Sequence, residues 1–158
     1  MKSRDVIYRE FVEKWTHPDY RPVPLTDAAL DEFEDKLGCK LPLAYREFMS
    51  RYGPVSATLA LSTSIIAAGQ KVPDFQEFLS PADALSRTRA WITLGLPRDR
   101  FAIASDSAGN LFCFKYGSII DRVNDAPIFY FDHDFRSNKK VASSITSWLD
   151  QLATVPKV

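Results

Sequence analysis

Residues 101–114, FAIASDSAGNLFCF, place two apolar runs, Phe101–Ser105 and Leu111–Phe114, on either side of Asp106-Ser107-Ala108-Gly109-Asn110. Short apolar and aromatic runs bounded by turn formers read as strands, and a five-residue connection containing Gly joins them as a hairpin. Gly109 supplies the positive φ that such a turn requires. Further along, Ile119–Val123 and Ile128–Phe131 read as two more strands, separated by the turn former Asn124-Asp125-Ala126-Pro127. Ser56–Ile66, rich in β-branched and small residues and without helical periodicity, adds one or two strands upstream, and Val72–Ser80 reads ambiguously.

Helical signals lie on both sides of these strands. Val6, Ile7, Phe11, Val12 and Trp15 recur at helical spacing until His17-Pro18 ends the pattern, and the prolines of Tyr20–Leu25 hold the following connector extended. Thr26 is placed to cap a helix carrying Leu30, Phe33 and Leu37 on one face, and Gly38 provides its left-handed stop. A second helix runs from Pro42 to Tyr52, with Pro42 at its first position and Tyr45, Phe48, Met49 and Tyr52 on its apolar face. Ser80-Pro81 opens another helix reaching about Trp91, and Ser143 or Ser144 caps a last one built on Ile145, Trp148, Leu149 and Leu152. Helices bracketing hairpin-linked strands predict an α+β fold: a mainly antiparallel sheet of about five or six strands with flanking helices, in one domain over residues 1–158.

Composition narrows the function. The 158 residues carry 20 basic and 20 acidic side chains, so the chain has no overall electrostatic footprint for nucleic acid. The N-terminal MKSRDVIYREFVEKW lacks the continuous apolar core of a signal peptide, and Ala57–Gly69 is too short to cross a bilayer as a helix. A cytoplasmic protein without a membrane span is expected. Cys39 and Cys113 fall in different predicted elements with no Cys-x-x-Cys spacing, which suits reduced thiols. Phosphate-cradling glycine motifs and nucleophile elbows are missing, and no cofactor is expected.

One stretch invites an enzymatic reading. In PIFYFDHDF, residues 127–135, an aromatic run ends in Asp132-His133-Asp134, and carboxylate with imidazole suits a divalent metal or acid–base chemistry. A metal-dependent hydrolase built on these three residues is one alternative. Strand alternation, however, sets Asp132 and Asp134 on one face and His133 on the other, as in a polar strand end entering a loop. The turn 106–110 begins like a calcium loop but lacks the later acidic ligand, so the sequence assigns no metal site.

The order of motifs resembles the SUKH superfamily, whose members include yeast cell wall synthesis regulators and many bacterial toxin immunity proteins. LTDAALDEFEDKLGCKLPLAYREFMSRYG, residues 25–53, is similar to the family's helix-Gly-x-x-Leu-Pro-x-x-Tyr-x-x-Phe signature through Leu30, Phe33, Glu34, Leu37, Gly38, Leu41, Pro42, Tyr45, Phe48 and Tyr52. IASDSAGNLFCF resembles its Asp-x-x-Gly-Asn/Asp hairpin, APIFYFDHD its later strand, and SSITSWLDQL its closing helix, so the likeness spans about 25–152. The resemblance implies a non-enzymatic bacterial immunity protein that occludes the active site of a cognate toxin, such as a nuclease. A regulatory or scaffold module is the alternative it leaves open. Candidate partner contacts are Asp106, Asn110, Asp132 and Asp134, the three acids read as exposed and able to stand in for phosphate toward a basic nuclease.

Overall fold

The structure is a computed structural model that describes residues 1–69, 71–117 and 121–158. Its elements, in chain order, are α1 (Arg4–Trp15), a 3₁₀ turn (Pro18–Tyr20), α2 (Asp27–Leu37), α3 (Leu43–Tyr52), α4 (Leu59–Ala67), β1 (Glu77–Phe78), α5 (Pro81–Ile92), β2 (Arg100–Ser105), β3 (Leu111–Lys115), β4 (Ile128–Asp132), β5 (Ser137–Ala142) and α6 (Ile145–Thr154). The five strands form one antiparallel sheet in sequence order. This is the α+β arrangement expected, with each strand antiparallel to the next and β1 joined to β2 through α5.

Local signals explain most helix ends. The hydroxyls of Thr26, Ser80 and Ser144 accept hydrogen bonds from Ala29, Asp83 and Ser147 N–H respectively, satisfying donors that the first turn leaves free. Gly38 closes α2 at φ 72°, ψ 23°, in the left-handed region. Pro42 stands one position outside α3 rather than inside it. Having no side chain to cap with, it leaves the first N–H groups of α3 to distant carbonyls: Leu43 N–H donates to Val123 O and Ala44 N–H to Asn124 O, both at 2.9 Å.

That contact corrects the strand expected at Ile119–Val123. Ile119 and Ile120 lie outside the described residues, and Asp121–Val123 is irregular, because its backbone turns to the N-terminus of α3 instead of to a ladder. Asp125 does the same for α6, accepting from Ile145 N–H at 2.8 Å and from the Thr146 hydroxyl at 2.6 Å. A carboxylate at a helix N-terminus also meets the positive end of its dipole. The connector before β4 thus ties together the starts of two helices.

The strands expected within Ser56–Ile66 are corrected as well. Ser56 and Ala57 make isolated bridges with Glu77 and Thr16, and the chain then coils into α4, which buries Leu61, Ser64 and Ile65 on one side. Packing of that i, i+3, i+4 set overrides the modest helix penalty of its β-branched residues. β1 resolves the ambiguous Val72–Ser80 into a two-residue strand, and β5, SNKKVA, went unrecognised because an edge strand needs no apolar alternation and is protected by its lysines.

The core sits between one face of the sheet and α1, α3 and α6. Trp148 of α6 packs against Phe112, ring centroids 4.7 Å apart, and Phe48 of α3 packs against Phe78 at 4.9 Å. Trp15 of α1 is fully buried and donates its indole N–H to Leu152 O of α6 at 2.8 Å, so the two ends of the sequence meet in one core. On the opposite face α5 covers β2. A bulge between Ala102 and Ala104 accompanies the contact, where Ala102 N–H donates to the Thr88 hydroxyl at 2.8 Å.

A buried ion cluster fastens α2 to the rest. Glu34 has a side chain 2% exposed, and its carboxylate accepts from Leu41 N–H at 2.7 Å, from Arg46 Nη1 at 2.8 Å, and from both terminal nitrogens of Arg122. Burial alone would raise this carboxyl's pKa, but Arg122, the Leu41 amide and Arg46 outweigh it and hold it below its ordinary value. Helix, following turn, next helix and the 121–124 connector therefore converge on one carboxylate.

Candidate recognition rim

Antiparallel order puts the β2–β3 turn (residues 106–110) and the β4–β5 turn (residues 133–136) at the same end of the sheet. Three side chains join them. Asp106 Oδ1 accepts from the backbone N–H groups of Ala108 and Asn110 at 2.9 and 2.8 Å, closing its own turn as an Asx motif. Its Oδ2 accepts from Tyr130 Oη at 2.6 Å and from Asn110 Nδ2 at 3.0 Å. Asn110 Nδ2 also donates to Tyr130 Oη at 2.8 Å, and its Oδ1 accepts from His133 N–H at 3.1 Å, so one hairpin holds the other.

Asp106 and Asn110 are 5% and 6% exposed, which corrects the expectation that Asp106 stands in solvent. A buried carboxylate is tolerable here because four donors face it. Tyr130, which the sequence reading did not single out, is the third member of the network. Burial and then the Asp106 carboxylate push its phenol pKa well up, so it remains a donor throughout the physiological range. The only sequence signal for it is a hydroxyl on the aromatic residue between Phe129 and Phe131, and nothing local says what that hydroxyl meets.

The Asp132-His133-Asp134 stretch takes three separate roles. Asp132 ends β4, and its Oδ1 accepts from the N–H groups of Asp134 and Phe135 at 2.9 and 3.3 Å, capping the second turn. The His133 ring packs on Trp91 of α5, centroids 4.7 Å apart, with its Nε2 3.3 Å from Asp134 Oδ1. The Asp134 side chain is 74% exposed and Phe135 projects beside it at 82%. These three residues do not converge on a common point, and among the described residues no group of three His, Cys, Asp or Glu is disposed to hold a metal ion. Arg136 closes the turn at φ 51°, and Lys139 and Lys140 follow on β5, so the exposed surface next to Asp134 is mixed in charge.

The Tyr130 hydroxyl offers a direct check on the network. Tyr130→Phe removes one donor from the Asp106 carboxylate and one acceptor from Asn110 with little change of shape. A loss of about 1.5–3 kcal/mol is expected, as for hydrogen bonds to charged groups. In a chain of this length that lowers the melting temperature by roughly 3–12 °C. A melting curve superimposable on that of the wild type would show that water satisfies Asp106 as well as Tyr130 does.

A family model described as SMI1 / KNR4 family (SUKH-1) matches residues 24–151. The chain belongs to the SUKH-1 family. The match begins just before the Thr26 cap of α2, ends within α6, and takes in both turns of the rim. No curated protein matches the SUKH-1 chain. Among the described residues no helix is long and apolar enough to cross a membrane.

Proposed function

We propose that this SUKH-1 protein is a non-enzymatic immunity protein that works in the bacterial cytoplasm, binding a cognate toxin and blocking its active site. The observation that carries this reading is the family match together with a rim whose polar residues organise the backbone instead of converging on a reaction centre. Stoichiometric occlusion needs a preformed, complementary surface and no nucleophile. Asp106, Asn110 and Asp132 serve binding by holding two adjacent turns rigid, which reduces the ordering cost of association. Asp134 and Phe135 are the groups presented to the partner: a carboxylate and, beside it, an exposed aromatic anchor of the kind enriched at interfaces.

The neighbouring basic residues Arg136, Lys139 and Lys140 shape the choice of toxin. A purely acidic rim would imitate a nucleic-acid backbone, whereas this one fits a partner of mixed charge, so a toxin nuclease would be met at the border of its cleft. Co-expression with the product of the adjacent gene tests the proposal. Expected are rescue of growth and a complex of one immunity chain per toxin. Phe135→Ala combined with Asp134→Lys is expected to weaken binding by about 10-fold or more, equivalent to about 1.4 kcal/mol. Absence of both rescue and binding would overturn the immunity reading in favour of a regulatory or scaffold module, and unchanged affinity in the double variant would move the interface elsewhere.

A further inference from the structure

The two outer strands of the sheet are finished differently. Along β1, Phe78 N–H donates to Val55 O at 2.9 Å and Ala57 N–H donates to Gln76 O at 2.6 Å, so the 55–57 segment closes that edge. β5 ends the sheet on the other side and pairs with β4 alone. The ladder fixes which of its backbone groups face outward, because successive residues of an antiparallel strand turn both N–H and C=O to opposite neighbours. Asp106 N–H donates to Asn110 O across the β2–β3 pair. Leu111 therefore turns to β4 and meets Phe131, and Tyr130 turns to β5 and meets Lys139. Lys139 faces inward, and Asn138 and Lys140 turn their N–H and C=O groups to the open side.

We propose that this edge takes a strand from a protein partner, an extended segment with carboxylates at two consecutive positions. Its backbone would pair with Asn138 and Lys140, extending the sheet by a sixth strand. The side chains select that occupant. Ser137, Lys139 and Lys140 are exposed, as is Arg136 in the turn before them, and among the described residues none of these three cations forms an ion pair. Lys139 and Lys140 project to opposite faces of the sheet, so consecutive acids on an added strand meet one ammonium on each face. The same edge of a second copy would set lysine against lysine, the arrangement by which edge strands resist self-pairing. The turn bearing Asp134 and Phe135 runs directly into β5, so the edge continues the rim. That the segment belongs to a toxin rests on the immunity reading; the pairing itself is tested without one.

The probe is a capped hexapeptide, TVEEVT, titrated into the isotope-labelled full chain and followed by amide NMR, with TVKKVT as its charge-reversed control. A free hexapeptide must be ordered on binding, so a dissociation constant on the order of 1 mM is expected. The amide signals of Asn138 and Lys140 should move more than that of Lys139. TVKKVT should bind 10-fold or more weakly. In the chain carrying Lys139→Glu and Lys140→Glu together the preference should reverse, so that TVKKVT becomes the better ligand. Both sites are solvent-exposed, and circular dichroism verifies that the fold is kept. Two further forms of TVEEVT, N-methylated at alternate residues, separate strand pairing from charge attraction: one of them should lose binding while its charge is unchanged. No movement of β5 amides at about 10 mM peptide overturns the proposal, as does equal binding of TVEEVT and TVKKVT. Binding that survives in both N-methylated forms overturns the added strand. Failure of the edge here and failure of rescue by co-expression are separate results, so the pairing and the immunity reading stand or fall apart.

Discussion

Glu34→Ala should lower the stability of the protein by about 3 kcal/mol, the lower end of the range for breaking a buried ion pair. The size follows from what is left behind. Arg46, 13% exposed, and Arg122 would face each other without the carboxylate between them, and Leu41 N–H would lose its acceptor. Arg122 is partly solvated, with a side chain 30% exposed, which keeps the cost from the upper end. In thermal unfolding the expected displacement is roughly 6–12 °C downward. Glu34→Gln, which keeps an oxygen for the Leu41 amide but loses the charge, should fall between the wild type and the alanine variant. A displacement below about 1 kcal/mol for the alanine variant would mean that the two arginines are solvated without Glu34 and that the cluster is not a fastening.

The same carboxylate makes a prediction in pH. Its pKa in the folded protein is held below the ordinary 4.5, so the unfolded chain binds the proton more readily than the folded one. The stabilisation is therefore complete above pH 4.5 and is lost as pH falls from there through the folded value. Chemical denaturation of wild type and Glu34→Gln across this interval should give curves that converge toward acid pH. Curves that stay parallel would assign the acid sensitivity to other carboxylates.

Gly53→Ala should be comparably damaging, for reasons of backbone and not of charge. Gly53 adopts φ 73°, ψ −171°, a region in which only glycine is at ease, and the strain on a side-chain-bearing residue is roughly 1–3 kcal/mol. A Cβ there would also stand 2.5 Å from Val23 O, a backbone atom that cannot rotate aside. Val23 belongs to the extended connector between α1 and α2, which crosses the end of α3 and is pinned where Leu25 N–H donates to Met49 O at 2.9 Å. Displacing it would bring the total to about 3 kcal/mol or more. Gly38 supplies the control, since its φ of 72° and ψ of 23° lie in the ordinary left-handed region and nothing is within 4 Å of its missing Cβ. Gly38→Asn should cost less than about 1 kcal/mol. Equal urea midpoints for Gly53→Ala and wild type would refute the close-packing argument.

Much of the fold was legible residue by residue. The 101–114 hairpin, the Thr26 and Ser80 caps and the left-handed stop at Gly38 are each specified by a side chain acting on its own backbone within a few residues, and that chemistry is the same in any fold. The SUKH signature drew on the same positions. Readings failed where the conformation is chosen by a partner distant in sequence. Ser56–Ile66 looked extended until Leu61, Ser64 and Ile65 found the core, and Asp121–Val123 looked like a strand although its partner is the bare N-terminus of α3.

The rim divides in the same way. By itself the sequence determined that Asp106–Asn110 turns and that Asp132 ends a strand, because Asx and glycine chemistry is local. Whether those polar groups face a partner or each other was decided by the tertiary structure, when Tyr130 arrived from β4 and the His133 amide from the turn beyond it. The physical reason is that a buried carboxylate is viable only with its donors in place, and donors 24 and 23 residues apart from their acceptors meet only through the pairing of β3 with β4.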